Sequence, residues 1–86
     1  MAQLRLFASA REAAGTKADE FAGATVGEVL DAAVAEYGEV FAGVLDTAAV
    51  WCNGEATERS HPVSDDDEVA VLPPVSGGSG GPRRSR

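Results

Sequence analysis

The sequence is poor in the residues from which most active sites are built. It contains one cysteine, Cys52, one histidine, His61, and one lysine, Lys17, and it has no isoleucine. A single cysteine excludes an internal disulfide and points to a reducing compartment, so a cytoplasmic location is expected. Cys52 lies in an apolar stretch, where a thiol is usually buried and inert. One histidine beside Pro62 makes neither a metal site nor a triad, because no base–nucleophile pattern accompanies it. The acidic run Asp65-Asp66-Asp67-Glu68 lacks the spaced ligands of a calcium loop and reads as a solvated turn. No metal is expected. No apolar run is long enough to span a bilayer, and the start, Met1 to Arg5, lacks the charged lead and apolar centre of a signal peptide. Basic groups are scarce too. Residues 1–78 hold all 14 acidic side chains against four basic ones (Arg5, Arg11, Lys17 and Arg59), a net −10. Arg83, Arg84 and Arg86 make up the rest. A body this acidic repels nucleic acid and anionic lipid and favours a basic protein partner.

What remains is enough for one small domain. The chain has 86 residues, of which 18 are Leu, Val or Phe, sufficient for one thin core. Residues 2–8 alternate, with Leu4, Leu6 and Ala8 on one side and Gln3 and Arg5 on the other, the pattern of a half-buried strand. Residues 9–15 fit one helical turn, with Ser9 as N-cap and Gly15 as stop. A second strand is expected near 17–22. Thr25-Val26-Gly27-Glu28 reads as a capping box. Val26, Val29, Leu30, Ala33, Val34 and Tyr37 then form one apolar helical stripe, which Gly38 ends. Val40, Phe41, Val44 and Leu45 suggest a shorter second helix. Residues 48–52 read as a strand and Asn53-Gly54 as a hairpin turn, with a weak return strand at 55–58. Residues 68–72 form the last strand. Trp51 and Phe41 are expected in the core, with Trp51 alternatively an anchor for a partner. Five short strands around one main helix and a short one make an α+β roll. The first and last strands pair in the middle of a mixed sheet.

The C-terminal part is the most informative. The last strand runs into Pro73-Pro74-Val75-Ser76-Gly77-Gly78. Prolines donate no amide hydrogen bond and hold a chain extended, so the segment cannot rejoin the sheet. Glycines carry no Cβ, so the chain can pass a narrow channel with its last carbonyl open to attack. Read alone, a Gly/Ser-rich end is equally a flexible linker. The division expected is a folded domain over residues 1–75 and a Gly-rich tail over 76–86.

These segments resemble the ubiquitin-like sulfur carriers of the MoaD/ThiS type, most of all the small subunit of molybdopterin synthase. The likeness is carried by Arg5-Leu6-Phe7-Ala8 with Arg11-Glu12, by Thr25 through Leu30, by Val50 through Gly54, by His61-Pro62-Val63 and by Asp67 through Gly78. It implies the β-grasp fold and a non-catalytic carrier that binds no cofactor itself. A partner adenylyltransferase of the MoeB/ThiF kind would use ATP to convert the Gly78 carboxylate to an acyl-adenylate. A sulfurtransferase would then supply sulfur in place of AMP, leaving a glycyl thiocarboxylate. The large subunit of molybdopterin synthase, or another sulfur-accepting enzyme, would receive that sulfur. Gly78 is then the reactive residue, Gly77 gives access, and Pro73, Pro74, Val75 and Ser76 position the tail.

Two features depart from the family pattern. The family ends at the second glycine, whereas this chain continues through Ser79 to Arg86. With that extension attached Gly78 has no free carboxylate, so a processing protease is implied if the chain is an active carrier. Asp66 stands where the family has glycine in the turn before the last strand, and aspartate tolerates a left-handed backbone better than most residues. Three functional classes stand open: a carrier for molybdopterin, a carrier for another acceptor (thiamine precursor, cysteine, a secondary metabolite) or a protein modifier, and a β-grasp interaction module whose tail is never cut.

Overall fold

A computed structural model describes residues 1–74. Val75, Ser76, Gly77 and Gly78, to which four of the site expectations belong, lie outside the described residues together with 79–86. The elements in chain order are β1 (Ala2–Leu6), α1 (Ala8–Ala14), β2 (Ala18–Phe21), α2 (Val26–Tyr37), α3 (Glu39–Thr47), β3 (Ala49–Cys52), β4 (Glu55–Ala56) and β5 (Glu68–Leu72). The sheet order is β2-β1-β5-β3-β4. β1 and β5 run parallel at the centre, with Leu4 opposite Val69 and Leu6 opposite Val71. The flanking pairs β1–β2, β5–β3 and β3–β4 are antiparallel. This is the expected mixed five-stranded roll.

Strand alternation sets the core. Leu4 and Leu6 of β1 and Val69 and Val71 of β5 point to one face, where they meet Val26, Val29, Leu30 and Ala33 of α2 and Phe41 of α3. All of these are 2 % exposed or less. At the core's edge, Tyr37 stands edge-on to both Phe21 and Phe41, with ring centroids 5.7 and 5.1 Å away. Its hydroxyl donates to Asp19 Oδ2 at 2.7 Å. Burial first, then that carboxylate, pushes the phenol well above its ordinary pKa, and the same bond holds Asp19 below the usual carboxylate range.

α2 begins as its sequence dictates. Thr25 Oγ1 accepts from the Glu28 N–H at 3.2 Å, and Glu28 Oε1 accepts from the Ala24 N–H at 2.8 Å. Two further N–H groups of the first turn, which have no partner inside a helix, donate to carbonyls of the 57–63 loop: Val26 to His61 and Gly27 to Arg59. A Cβ at Gly27 would lie 3.1 Å from the Arg59 carbonyl oxygen, so this loop and the helix meet where only glycine fits comfortably. The Arg59 side chain extends the clamp to Asp31 of the same helix. Gly38, with φ 95°, ends α2 and starts α3.

Four expectations are corrected. Ala8 does not continue the buried face of β1; the strand stops at Leu6, and Ala8 opens α1 with φ 52° and is exposed. The N-cap of α1 is Phe7, without a side-chain hydrogen bond, and not Ser9. Trp51 is not in the core; at 37 % exposed it lies on the opposite face of the sheet. Asp66 does not adopt a left-handed backbone, since the described non-glycine residues with positive φ are Ala8 and Asn53.

Candidate functional site

The last strand leads straight to the tail, and its exit is defined by what Pro73 lacks. The Phe7 N–H donates to the Val71 carbonyl at 3.3 Å, the last rung between β1 and β5. The next rung of a parallel ladder takes an N–H from residue 73 to the Phe7 carbonyl. Proline has no N–H, so the ladder ends there. The Phe7 carbonyl accepts instead from Ala10 and Arg11 and begins α1. Pro73 is buried and Pro74 exposed. Pro73 therefore ends the β1–β5 ladder inside the fold, and Pro74 stands at the surface.

The outer face of the sheet, away from the helices, divides along β5. Registers place Arg5, Ala70 and Trp51 in one row and Leu72 with Ala49 in the row nearer the exit. Phe7, Trp51 and Leu72 are 42 %, 37 % and 36 % exposed. With Gly54, Glu68 and Ala70 they line a shallow depression of about 300 Å³. Large apolar side chains grouped at a surface mark a contact site more often than scattered ones do.

At the other end of β5 the surface is acidic and tightly hydrogen-bonded. Asn53 Nδ2 donates to Asp67 Oδ1 at 2.9 Å, and Asn53 Oδ1 accepts from the Glu68 N–H at 2.9 Å. The Ser64 N–H donates to Asp67 Oδ2 at 2.8 Å. Hydrogen bonds from Asn53, then from Ser64, hold Asp67 below the ordinary carboxylate range. The β3–β4 turn is thereby tied to the acidic turn. The Met1 ammonium donates to Asp65 Oδ1 at 2.7 Å, and Asp65 raises the pKa of that amine. Arg5 pairs with Glu68 at 3.2 Å. Both pairs are exposed and contribute little to stability.

The remaining candidates supply no reactive group. Cys52 is buried, and burial, with Asp67 nearby, pushes its thiol up. That disfavours the thiolate a sulfur relay would need. Among the described residues no group of three or more His, Cys, Asp or Glu side chains is placed to hold a metal ion. No described helix is long and apolar enough to cross a membrane. Sequence reasoning missed Phe7 as a surface residue and misplaced Trp51. The signal was available: Val50 and Cys52 alternate with Trp51, so a strand that buries Cys52 must turn Trp51 outward.

Comparison with known proteins agrees with this architecture. A chain 37 % identical over 84 residues, covering 86 % of this chain and 97 % of the relative, is small archaeal modifier protein 1 of Haloferax volcanii. Its crystal structure superposes with a TM-score of 0.76 at 36 % identity, covering 90 % of this chain and 98 % of the other. A putative molybdopterin converting factor subunit 1 from Pyrococcus furiosus gives 0.75 at 25 % identity, covering 86 % and 97 %. A chain of the BexX/CysO complex of Amycolatopsis orientalis gives 0.77 at 25 % identity, covering 91 % and 100 %. The solved neighbours share the ubiquitin-like β-grasp fold. The ThiS family pattern matches residues 4–78, from the second residue of the β1 core face to the second glycine of the tail. The chain therefore belongs to the ThiS family, the group that includes the MoaD/ThiS-type ubiquitin-like carriers.

Proposed function

We propose that this protein is a sulfur carrier whose reactive group is the Gly78 carboxylate, freed by removal of residues 79–86. The observation that carries this reading is the family match ending at Gly78, only four residues beyond the point where Pro73 and Pro74 release the chain from the sheet. A carboxylate is a poor electrophile, so a partner enzyme must first activate it with ATP, joining a carboxylate oxygen to the α-phosphorus and expelling pyrophosphate. Sulfur delivered at the sulfide level then attacks the acyl carbon, forming the C–S bond as the C–O bond to AMP breaks, and leaves the thiocarboxylate. A donor that holds the sulfur as a persulfide needs a thiol reductant to release it. The carrier supplies a terminus and a docking surface, and its own side chains do no acid–base work. The apolar outer-face patch at the tail exit suits docking on an activating enzyme and on the acceptor subunit, and the acidic end of the face suits basic residues on the same partners. A molybdopterin precursor is the leading acceptor, on the strength of the resemblance to the converting-factor subunit. Intact mass after co-expression with an adenylyltransferase and a sulfurtransferase tests the proposal. The expected product is a chain ending at Gly78 with one oxygen replaced by sulfur. Absence of both the truncation and the mass gain overturns it.

The most similar relative named above is called a modifier, which supports a second reading. There the activated glycyl group passes to a protein amine with loss of AMP. The same co-expression distinguishes the two, because a modifier yields larger conjugates joined through a lysine and a carrier does not.

A further inference from the structure

Asn53 is the only asparagine, and glycine follows it. That pair has a chemistry of its own. A glycine nitrogen, with no Cβ beside it, reaches the preceding side-chain carboxamide more easily than the nitrogen of a bulkier residue does. Both ends of this carboxamide are held in the fold. Nδ2 donates to Asp67 Oδ1 and Oδ1 accepts from the Glu68 N–H, each at 2.9 Å. The Asn53 backbone N–H adds a bond to the Glu68 carbonyl at 2.8 Å. On its other side the turn is weakly anchored. β4 is two residues long, pairs with β3 and stands at the edge of the sheet. Asn53 is exposed, so water reaches it.

We infer that Asn53 is a self-modification site: its carboxamide becomes a carboxylate when the β3–β4 turn opens, and the new charge then holds that turn off the acidic turn. In the step, the Gly54 nitrogen attacks Asn53 Cγ and closes a cyclic imide. The Cγ–Nδ2 bond breaks, and ammonia leaves with the proton that Gly54 gives up. Water then opens the ring at either carbonyl. One product is aspartate. In the other the main chain runs through the former side chain and is longer by one methylene. Nothing is oxidised or reduced. The closed turn resists this chemistry, because Cγ must rotate toward Gly54 and the two side-chain bonds oppose the rotation. A short hairpin at a sheet edge opens locally at a cost below that of global unfolding, and the reaction proceeds from that open state.

After conversion to aspartate, a carboxylate oxygen stands where Nδ2 donated, facing Asp67 Oδ1. Two carboxylates at hydrogen-bond distance repel each other, so a tie between the turns becomes a strain on them. Gly54 and Glu68 line the apolar depression beside Trp51, and the modified chain has a loosened wall there. That the modified chain docks less well rests on the carrier reading; the modification itself does not.

Peptide mapping by mass spectrometry follows the conversion in the full chain at neutral pH, and no second asparagine contributes to the signal. The folded chain should convert at least about ten-fold more slowly than the same chain in guanidinium chloride, the protection that one hydrogen bond to a charged group supplies. Equal rates overturn the inference, and this comparison needs no variant to fold. Asp67→Ala removes the partner of Nδ2 and should abolish most of the protection. Glu68→Ala keeps the Glu68 N–H and should leave the folded rate within about two-fold of the parent's. A parental rate in Asp67→Ala overturns the inference. So does equal acceleration by both variants, since any loosening of this surface would then suffice. Urea unfolding reads the consequence. Asn53→Asp should unfold at a lower midpoint than the parent. Combining it with Asp67→Asn exchanges donor and acceptor and should restore the midpoint. A double variant no more stable than Asn53→Asp would show that charge against Asp67 is not what loosens the turn, and overturns that part. No partner enzyme is present in these measurements. Failure of a chain ending at Gly78 to release pyrophosphate from ATP with an activating enzyme would sink the carrier reading and leave them standing.

Discussion

The two faces of the central strands make opposite demands on neighbouring residues. Leu4, Leu6, Val69 and Val71 turn inward and are 2 % exposed or less, while Arg5, Ala70 and Leu72, their immediate neighbours, turn outward. The inner face meets α2 and α3 and holds the fold together. The outer face has no element of the described chain against it, yet it carries Trp51 and Leu72, which would be better buried. Singly exposed apolar side chains are ordinary, as Val40 of α3 is, but Phe7, Trp51 and Leu72 are grouped around one depression. Stability is thus concentrated on one side of a five-stranded sheet, and recognition is proposed for the other.

Three substitutions sharpen or break that contrast. The largest effect is expected on the inner side. Phe41 is fully buried and touches the aromatic edge of the core, so Phe41→Ala should destabilise the fold by about 3–5 kcal/mol, measured by urea unfolding. A loss below about 1 kcal/mol would mean that the core is not centred on this face. An intermediate effect is expected where the faces meet. Asn53→Ala removes both side-chain bonds that tie the β3–β4 turn to Asp67 and Glu68 and leaves the backbone bond from the Asn53 N–H to the Glu68 carbonyl, with an expected cost of about 1–2 kcal/mol. This variant also has a pH signature. Asp67 is held below its ordinary value in the fold, so it adds stability above the unfolded-state pKa of about 3.9, and that share is lost as pH falls through its lower folded value. Stability of the parent chain should therefore decline on acidification below about pH 5, and Asn53→Ala should decline less. An identical acid slope in both proteins would show that the turn does not depend on this carboxylate. The smallest effect on stability is expected outside. Leu72→Ala should cost about 1 kcal/mol or less, yet weaken binding of a chain ending at Gly78 to its activating enzyme about ten-fold. Calorimetric titration measures the second quantity, and unchanged affinity would remove the outer face from the docking surface.

Much of the fold was legible because the signals are local. Period-two alternation gave β1 and β5, and the stripe from Val26 to Tyr37 between Thr25 and Gly38 gave α2 nearly to the residue. Asn53-Gly54 marked its turn, with Asn53 at φ 52° and Gly54 at φ 84°. The failures share a cause. Ser9 looked like a cap because serine often is one, but helix α1 starts where the missing Pro73 N–H releases the Phe7 carbonyl, 66 residues away in sequence. Trp51 looked like core because it is large and apolar, but its orientation follows from strand parity with Cys52. For the candidate site, Pro73, Pro74, Gly77 and Gly78 stood out from residue chemistry, while the apolar patch around Phe7 became visible only when β1, β3 and β5 were placed side by side.

Residue order by itself fixed the pieces: which segments coil, which extend, where prolines stop the last strand, and that the chain past Gly78 is basic while the body is acidic. These follow from steric preferences, spacing and charge, which act over a few residues. Which strand lies beside which was settled only when all the apolar stripes were buried against one another. That arrangement brought Phe7, Trp51 and Leu72 from three separate elements into one surface. It also set this surface at the point where the tail leaves the sheet, because parallel pairing of β1 with β5 brings their C-terminal ends to the same side.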